Sequence, residues 1–291
     1  MSSNYVLSIC VRSYNQKDYL RQSIESILRQ QVTFEYEILI SDDCSTDGTI
    51  EMLREYKKKY PEKIRIILGK TNIGGPENFR RVIEASNSRY VAFMDGDDYW
   101  IDDFKLQKQY NFMISHPNYV GCFHNAFVST NGTCSLQLFN DELMDGHITY
   151  EEIVRKRWFM PTSSEFVLRE AIFFPEWYNT VPNDDYVINL SIALKGNFFY
   201  MPEVMSVYRK HSQNISTIYA DKKMTYNILS RILSYYRDIY PKTAQTVFDE
   251  TIKFYQTGIV DIERLKHPIR KWFYRKTYCR AIKRILTKFI Y

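Results

Sequence analysis

The chain has 291 residues, 45% of them apolar and 25% charged, an ordinary globular composition that excludes disordered, fibrous and collagen-like chains. Its formal charge of +5 is unevenly placed: residues 263–291 hold ten Lys/Arg and one acid, a net +9, which leaves −4 for the remainder. No apolar run approaches the roughly 18–20 residues that a membrane-spanning helix needs, which argues against a spanning segment.

The first residues, Met1 to Asn4, lack the basic region, apolar core and cleavage site of a secretory signal, so a chain that begins here and stays in the cytoplasm is expected. Cys10, Cys44, Cys122, Cys134 and Cys279 are odd in number and form no CxxC pair, which indicates neither a zinc site nor a disulfide framework. The sequons at Asn131 and Asn214 carry no meaning without a secretory route.

In chain order, Tyr5–Val11 is a short apolar run rich in β-branched residues and reads as a buried strand. Lys17–Gln30 places Leu20, Ile24, Ile27 and Leu28 at helical spacing. Glu37–Ser41 reads as a second strand ending on Asp42-Asp43, and Thr46 or Asp47 is placed to cap a helix running to about Lys59. Lys63–Leu68 reads as a third strand. Pro76 suits the first turn of the next helix, and Tyr90–Met94 reads as a fourth strand leading into Asp95-Gly96-Asp97-Asp98. Beyond it the pattern predicts a helix over Asp102–Ser115, one or two strands over Tyr119–Ser129, a helix over Asp184–Leu194 and a strand over Phe198–Tyr208. Helices follow over Met224–Tyr240 and Thr243–Thr257.

Alternating strands and helices imply right-handed βαβ units and an α/β fold with a mostly parallel, Rossmann-like sheet covered by helices on both faces, followed by a C-terminal helical extension. The change of class places the domain division at 1–218 and 219–291. Ligands of such sheets sit at the carboxyl ends of the strands. Ser13-Tyr14-Asn15, Asp42-Asp43 and Asp95–Asp98 should therefore converge on one rim.

Two carboxylates one residue apart, Asp95 and Asp97, separated by Gly96, suit a hard divalent cation, Mn²⁺ or Mg²⁺, completed by substrate phosphate oxygens and water. Helix capping near Asp102 or a solvated turn is the other reading of the same residues. The chain has no GxGxxG after its first strand, no GxxxxGK[ST] loop, no HExxH and no GxSxG, which excludes dinucleotide, P-loop, zinc-hydrolase and α/β-hydrolase signatures. Asp184-Asp185 stands where a helix first turn favours acids. His211, among Arg209, Lys210 and Ser212, reads locally as a surface residue, and Thr162-Ser163-Ser164 as a polar loop or a sugar-binding one.

Leu7–Asn15 (LSICVRSYN), Glu37–Thr49 (EILISDDCSTDGT), Asn72-Ile73-Gly74, Val91–Trp100 (VAFMDGDDYW), Pro161–Ser164, Asn183-Asp184-Asp185-Tyr186 and Tyr208–Ser216 (YRKHSQNIS) stand in the order of the motifs of family 2 glycosyltransferases. The chain resembles that family over about residues 5–216. The resemblance implies the GT-A fold and an inverting transfer of a sugar from a nucleoside-diphosphate donor, UDP-linked in many members, to a hydroxyl of a glycan or lipid-linked glycan. It further implies bacterial surface polysaccharide or lipopolysaccharide synthesis as the setting.

By the same resemblance, Ser13 and Tyr14 contact the nucleoside base, Tyr14 by stacking. Asp42 hydrogen-bonds the base, Asp95 lies near the ribose, and Asp97 is the metal-binding acid of the DxD motif. Asp184-Asp185 matches the family's Glu-Asp pair, with Asp185 as the base and Asp184 holding it or a sugar hydroxyl; the two are adjacent, and either could be the base. His211 matches a histidine near metal and diphosphate. The chain departs from the family pattern with Arg12 and Ser13 for Pro-Thr, Cys44 for Gly, and Asp184 for Glu. A non-catalytic sugar-nucleotide-binding scaffold and a sugar nucleotidyltransferase are the competing readings. The second lacks a glycine-rich basic loop after the first strand.

Aromatic residues reach 16%, with 24 Tyr, which suits saccharide clefts and ordinary cores alike. In the tail, Trp272, Phe273, Ile282, Ile285, Leu286 and Phe289 fall near one helical stripe with Lys and Arg around them. That pattern suits peripheral contact with an anionic membrane at the inner face of the cell membrane, or packing against the acidic body. No nucleic-acid reader motif accompanies the charge, so no nucleic-acid partner is expected.

Overall fold

The computed structural model describes residues 5–130, 133–141, 143, 146–156, 158–182, 184–211 and 222–257. The proposed division at 218, the sequons at Asn131 and Asn214, Asn183 and the basic tail lie outside the described residues.

The first half follows the predicted alternation. Strands β1 (Leu7–Ser13), β2 (Tyr36–Asp42), β3 (Ile64–Leu68) and β4 (Tyr90–Asp95) alternate with helices α1 (Lys17–Leu28), α2 (Thr49–Lys59) and α3 (Gly75–Glu84). They pair in the order β3-β2-β1-β4, all parallel. In β1, Leu7, Ile9 and Val11 face one apolar layer and Cys10 the other, as the two-residue period of a strand requires. Ser8, between them, is buried and satisfied by Glu37 Oε1 at 2.7 Å.

Leu20, Ile24 and Ile27 recur at helical spacing along α1 and seal one face of the sheet with Met52 and Leu53 of α2. Phe79, Val82 and Ile83 of α3 cover the other face. Pro76 stands in the first turn of α3, where its missing N–H leaves no intrahelical bond unmade. Asp47, expected as a cap, works twice: its carboxylate accepts Thr49 N at 3.0 Å at the start of α2 and Lys17 N at 3.0 Å at the start of α1.

The second half is mixed rather than parallel. It comprises β5 (Tyr99–Trp100), α4 (Lys105–Ser115), β6 (Tyr119–Thr130), β7 (Thr133–Leu138), β8 (Gly146–Ile148), α5 (Tyr150–Arg155), β9 (Phe166–Leu168), α6 (Asp184–Ala193) and β10 (Asn197–Lys210). The sheet continues β4-β9-β6-β10-β5, with β9 antiparallel to both of its neighbours and β10 parallel to β6. Short β9 leaves the 3₁₀ turn Thr162–Ser164 and runs back along β4, which places that turn beside the carboxyl end of β4. Strands of two or three residues carry too little periodicity to be read from sequence, and β5, β8 and β9 went unpredicted for that reason.

Helices α7 (Lys222–Ile239) and α8 (Gln245–Thr257) share the α3–α6 core through Leu229, Leu233, Tyr236 and Phe248. Tyr236 Oη donates to Val187 O at 2.8 Å and Tyr240 Oη to Leu190 O at 2.6 Å, so the helical extension is bonded directly to α6. Among the described residues no helix is long and apolar enough to cross a membrane.

Candidate active site

The carboxyl ends of β1, β2 and β4 open into a cleft of about 740 Å³, within the range of cofactor and substrate sites. Ser13, Tyr14, Asp95, Asp97, Asp184 and Asp185, picked out in the sequence from three separate stretches, all line it. Asp42 and His211 do not stand in its wall.

Ser13 ends β1. Its Oγ is buried and makes no hydrogen bond among the described residues. Tyr14 follows, 45% exposed. Asn15 takes the left-handed conformation (φ 50°) that Asn tolerates, and its Oδ1 accepts Thr46 N at 2.8 Å, tying this loop to the one after β2.

In the β2 loop the two acids divide. Asp42 is 0% exposed, and its carboxylate accepts Ser45 N at 2.9 Å and Ser45 Oγ at 2.6 Å. It therefore shapes the turn from within. Asp43 lines the cleft instead, accepting Ile73 N at 3.0 Å and Gly74 N at 2.8 Å. Sequence reading missed Asp43, because adjacent acids at a strand end differ only in which way the chain turns.

The Asp95–Asp98 turn is held tightly. Gly96 N donates to Arg12 O at 3.0 Å, and a Cβ on Gly96 would meet Arg12 O at 2.9 Å and Gln16 Oε1 at 2.7 Å. Close approach of the β1 loop, not a left-handed backbone, is what requires glycine here. Asp98 points inward, accepting Ser163 Oγ at 2.7 Å and Arg209 N at 2.9 Å. Its burial, with Asp97 and Asp95 near, pushes its carboxyl well above the usual range. Ser163 O also accepts Trp100 Nε1 at 2.7 Å. The Thr162–Ser164 turn is thus a brace for the acidic loop, with Thr162 reaching the cleft.

Asp97 Oδ2 lies 2.9 Å from His211 Nε2, and the His211 ring stacks on Tyr19 at 5.0 Å. Although His211 is off the cleft wall, it touches the acid expected to hold a metal. A carboxylate and an imidazole fit Mn²⁺ or Mg²⁺ only as part of a shell. Among the described residues no three His, Cys, Asp or Glu side chains form a complete cage. The remaining ligands would have to come from substrate and water.

Asp184 and Asp185 open α6. The Asp184 carboxylate is ion-paired with Arg12 and faces Tyr178 Oη at 3.4 Å. Asp185 is half-buried, and its Oδ1 accepts Tyr186 N at 2.8 Å. Burial, then the charge of Asp184, pushes its carboxyl up to about 6. Of the adjacent pair, Asp185 is the one whose carboxylate makes no ion pair among the described residues and faces the cleft with a basicity suited to proton transfer.

Arg12 went unassigned in the sequence and proves central: Nε pairs with Asp95, Nη1 with Asp184, and the guanidinium lies 4.8 Å from the Phe79 ring centroid. Its signal was a charge interrupting the apolar run of β1. Lys210, at the end of β10, and Phe139, Trp158 and Tyr208 also line the cleft and were not singled out. Five carboxylates (Asp43, Asp95, Asp97, Asp184, Asp185) against two cations (Arg12, Lys210) leave the wall net acidic.

A sequence model of Glycosyl transferase family 2 matches residues 8–173, more than half of the chain. The uncharacterized protein Rv1520 of Mycobacterium tuberculosis is 33% identical over 218 residues, covering 75% of this chain, which spans 62% of that relative's length. The Bacillus subtilis protein TuaG, named as a glycosyltransferase of teichuronic acid biosynthesis, is 30% identical over 213 residues, 73% of this chain and 82% of TuaG. Among solved structures, S. aureus TarS (residues 1–349) in complex with UDP-GlcNAc superposes with a TM-score of 0.66 at 18% identity, covering 86% of this chain and 71% of that one. The mannosyltransferase PcManGT of Pyrobaculum calidifontis, in complex with GDP-Man and Mn²⁺, gives 0.61 at 13% identity over 99% and 82%. With the strand order, the strand-end cleft and these matches together, the chain belongs to Glycosyl transferase family 2 and has the GT-A fold.

Proposed function

We propose that this protein is an inverting, divalent-metal-dependent glycosyltransferase that moves a sugar from a nucleoside diphosphate, UDP favoured, to a hydroxyl of a glycan or lipid-linked glycan. The observation that carries the reading is the meeting of Ser13, Tyr14, Asp97 and Asp185 in one strand-end cleft. Names of relatives in teichuronic and teichoic acid synthesis support a bacterial surface polymer as the setting.

Tyr14, exposed at the cleft, stacks on the base, and the buried Ser13 Oγ bonds the nucleoside. Asp43, rather than Asp42, presents the β2 loop to the base. Asp95 and Asp184, held by Arg12, set the ribose side and the position of α6. A diphosphate entering a net acidic wall is repelled unless a cation accompanies it. Asp97, with His211 behind it, is the residue to hold Mn²⁺ or Mg²⁺, which when bound stabilises charge on the leaving diphosphate. Lys210 adds a fixed positive charge to the same wall.

Asp185 takes the proton of the acceptor hydroxyl as its oxygen bonds to the anomeric carbon. The bond to the diphosphate breaks with its electron pair leaving on the diphosphate, and attack from the opposite face inverts the anomeric configuration. The basic tail, 263–291, supplies peripheral contact with the inner face of an anionic membrane, where lipid-linked acceptors are presented.

Thermal shift with UDP, GDP, dTDP and CMP, with and without Mn²⁺, tests donor class and metal together. The expected result is a rise of a few degrees with UDP that grows with Mn²⁺, the Mn²⁺-dependent part vanishing in Asp97→Asn. Asp185→Asn should keep the UDP shift and stop transfer. Full transfer by Asp185→Asn would remove Asp185 as the base, and no shift with any of the four nucleotides would end the donor reading.

A further inference from the structure

We propose that Trp158 is the platform on which the acceptor's pyranose ring lies, so that the acceptor subsite is the aromatic side of the cleft formed by Phe139, Trp158 and Tyr208. The inference rests on the transferase reading and adds the place and the chemistry of acceptor binding.

Three observations carry it. The first is conformation. Trp158 has φ 54°, the left-handed region that a bulky residue occupies only when its surroundings impose it. Those surroundings are present: Phe159 and Met160 are buried directly after it. Phe159 O accepts Asn140 Nδ2, and Asn140 is clamped to β6 by Asn125 through Asn140 N to Asn125 Oδ1 at 3.0 Å and Asn125 Nδ2 to Asn140 O at 2.6 Å. Strain held in this way, on the wall of a cleft, marks a side chain being aimed.

The second is exposure. Trp158 is 38% exposed although Phe159 and Met160 after it are buried, so the fold gives up part of the burial a tryptophan offers and presents it to the cleft. Phe139 and Tyr208 pack edge to face beside the same cleft, with centroids 5.3 Å apart, and extend the aromatic wall.

The third is placement. Trp158 and Asp185 line the main cleft together and also share a small side cavity with Met160 and Asn189. The indole therefore flanks the proposed base, while Tyr14 and Asp43 stand at the ends of β1 and β2, where the nucleoside belongs. A pyranose has an apolar C–H face and polar hydroxyl edges. Laid on an aromatic face, it would keep its hydroxyls free, one of them toward Asp185.

The test uses the full chain with UDP and Mn²⁺ and four probes: the methyl glycosides of β-glucose, N-acetyl-β-glucosamine, β-galactose and α-mannose. Saturation-transfer NMR should show at least one of them in contact through one ring face. Trp158→Gly removes the ring and relieves the left-handed backbone, so this variant should fold at least as stably and keep its UDP thermal shift while binding the glycoside about tenfold more weakly. Trp158→Phe should stay within about threefold of wild type. Equal glycoside contact in Trp158→Gly, or none of the four glycosides in contact with the wild type, overturns the platform. A wild type that contacts a glycoside through Trp158 but shifts with no nucleotide would instead overturn the transferase reading and leave the platform standing.

Discussion

Arg12 at the end of β1 is ion-paired with Asp184 at the start of α6, a residue 172 positions further along the chain. The same guanidinium holds Asp95 at the end of β4, so one side chain fixes the relative positions of three elements that carry the cleft. The two carboxylates raise the guanidinium's affinity for its proton further, against the burial that opposes charge, and it stays a cation throughout.

Removing that cation leaves two part-buried carboxylates facing each other. Arg12→Met is expected to destabilise the protein by about 3–5 kcal/mol in urea unfolding, the usual loss when one partner of a buried ion pair is taken away. Arg12→Lys keeps the charge without the planar fork and should recover only part of the loss. A midpoint for Arg12→Met within about 1 kcal/mol of wild type would show that the network carries no weight.

Asp185 has its carboxyl pushed from 3.8 up to about 6, burial being the first cause. A base must be ionised, so kcat/KM for transfer should fall as pH drops below about 6 and be flat above it on that limb. The stability sign is opposite. A raised native value means the folded protein binds the proton more tightly, so this contribution is full below about pH 4 and is lost as pH rises through about 6. Asp185→Asn should therefore unfold about 1–2 kcal/mol later than wild type at pH 8, after allowance for solvent screening, while losing about 10²–10⁴ in transfer rate. An acidic limb unchanged in position by Asp185→Asn would assign it to another group.

Cys44 has φ 67°, a backbone region that suits glycine and strains a residue with a Cβ. Its side chain is half-buried, so little packing is lost by removing it. Cys44→Gly should raise stability by about 1 kcal/mol at unchanged UDP binding. Equal or lower stability by chemical denaturation would mean that the Cys44 Sγ contact with Lys70 O, at 3.7 Å, outweighs the strain.

Lys105 is 0% exposed, its Nζ makes no hydrogen bond among the described residues, and it lies 4.0 Å from the Trp100 ring centroid. Burial pushes it down to about 7 from 10.5. Between those pH values the unfolded chain holds the proton and the folded chain has released it, so stability rises with pH across the window. Below about 7 both states are charged and the full burial penalty remains. Lys105→Met should flatten that slope and, at pH 6, stabilise the fold by about 1–4 kcal/mol. A stability curve with the same slope in both proteins would show that Lys105 keeps its proton throughout.

Much of the site is legible from local pattern because strand ends are. Apolar runs of the right length set β1, β2 and β4, and the polar residues that follow each run, Ser13-Tyr14, Asp42-Asp43 and Asp95–Asp98, must then gather at one edge of a parallel sheet. The later strands were harder to read, since β5 has two residues and β8 and β9 three each, and their pairing depends on partners far along the chain.

What the sequence by itself determined is which stretches end in chemistry; what only the tertiary structure decided is which residue of each stretch faces the cleft. Asp43 rather than Asp42 lines it, Asp98 turns inward while Asp97 lines the wall, and Asp184 is taken by Arg12 while Asp185 is left half-buried beside it. Adjacent carboxylates are alike in composition and periodicity. They separate only in the fold, where Ser45 and Ser163 draw Asp42 and Asp98 inward, while Asp43, held by Ile73 N and Gly74 N, and Asp97, beside His211, stay on the wall, because a buried carboxylate settles where donors meet it.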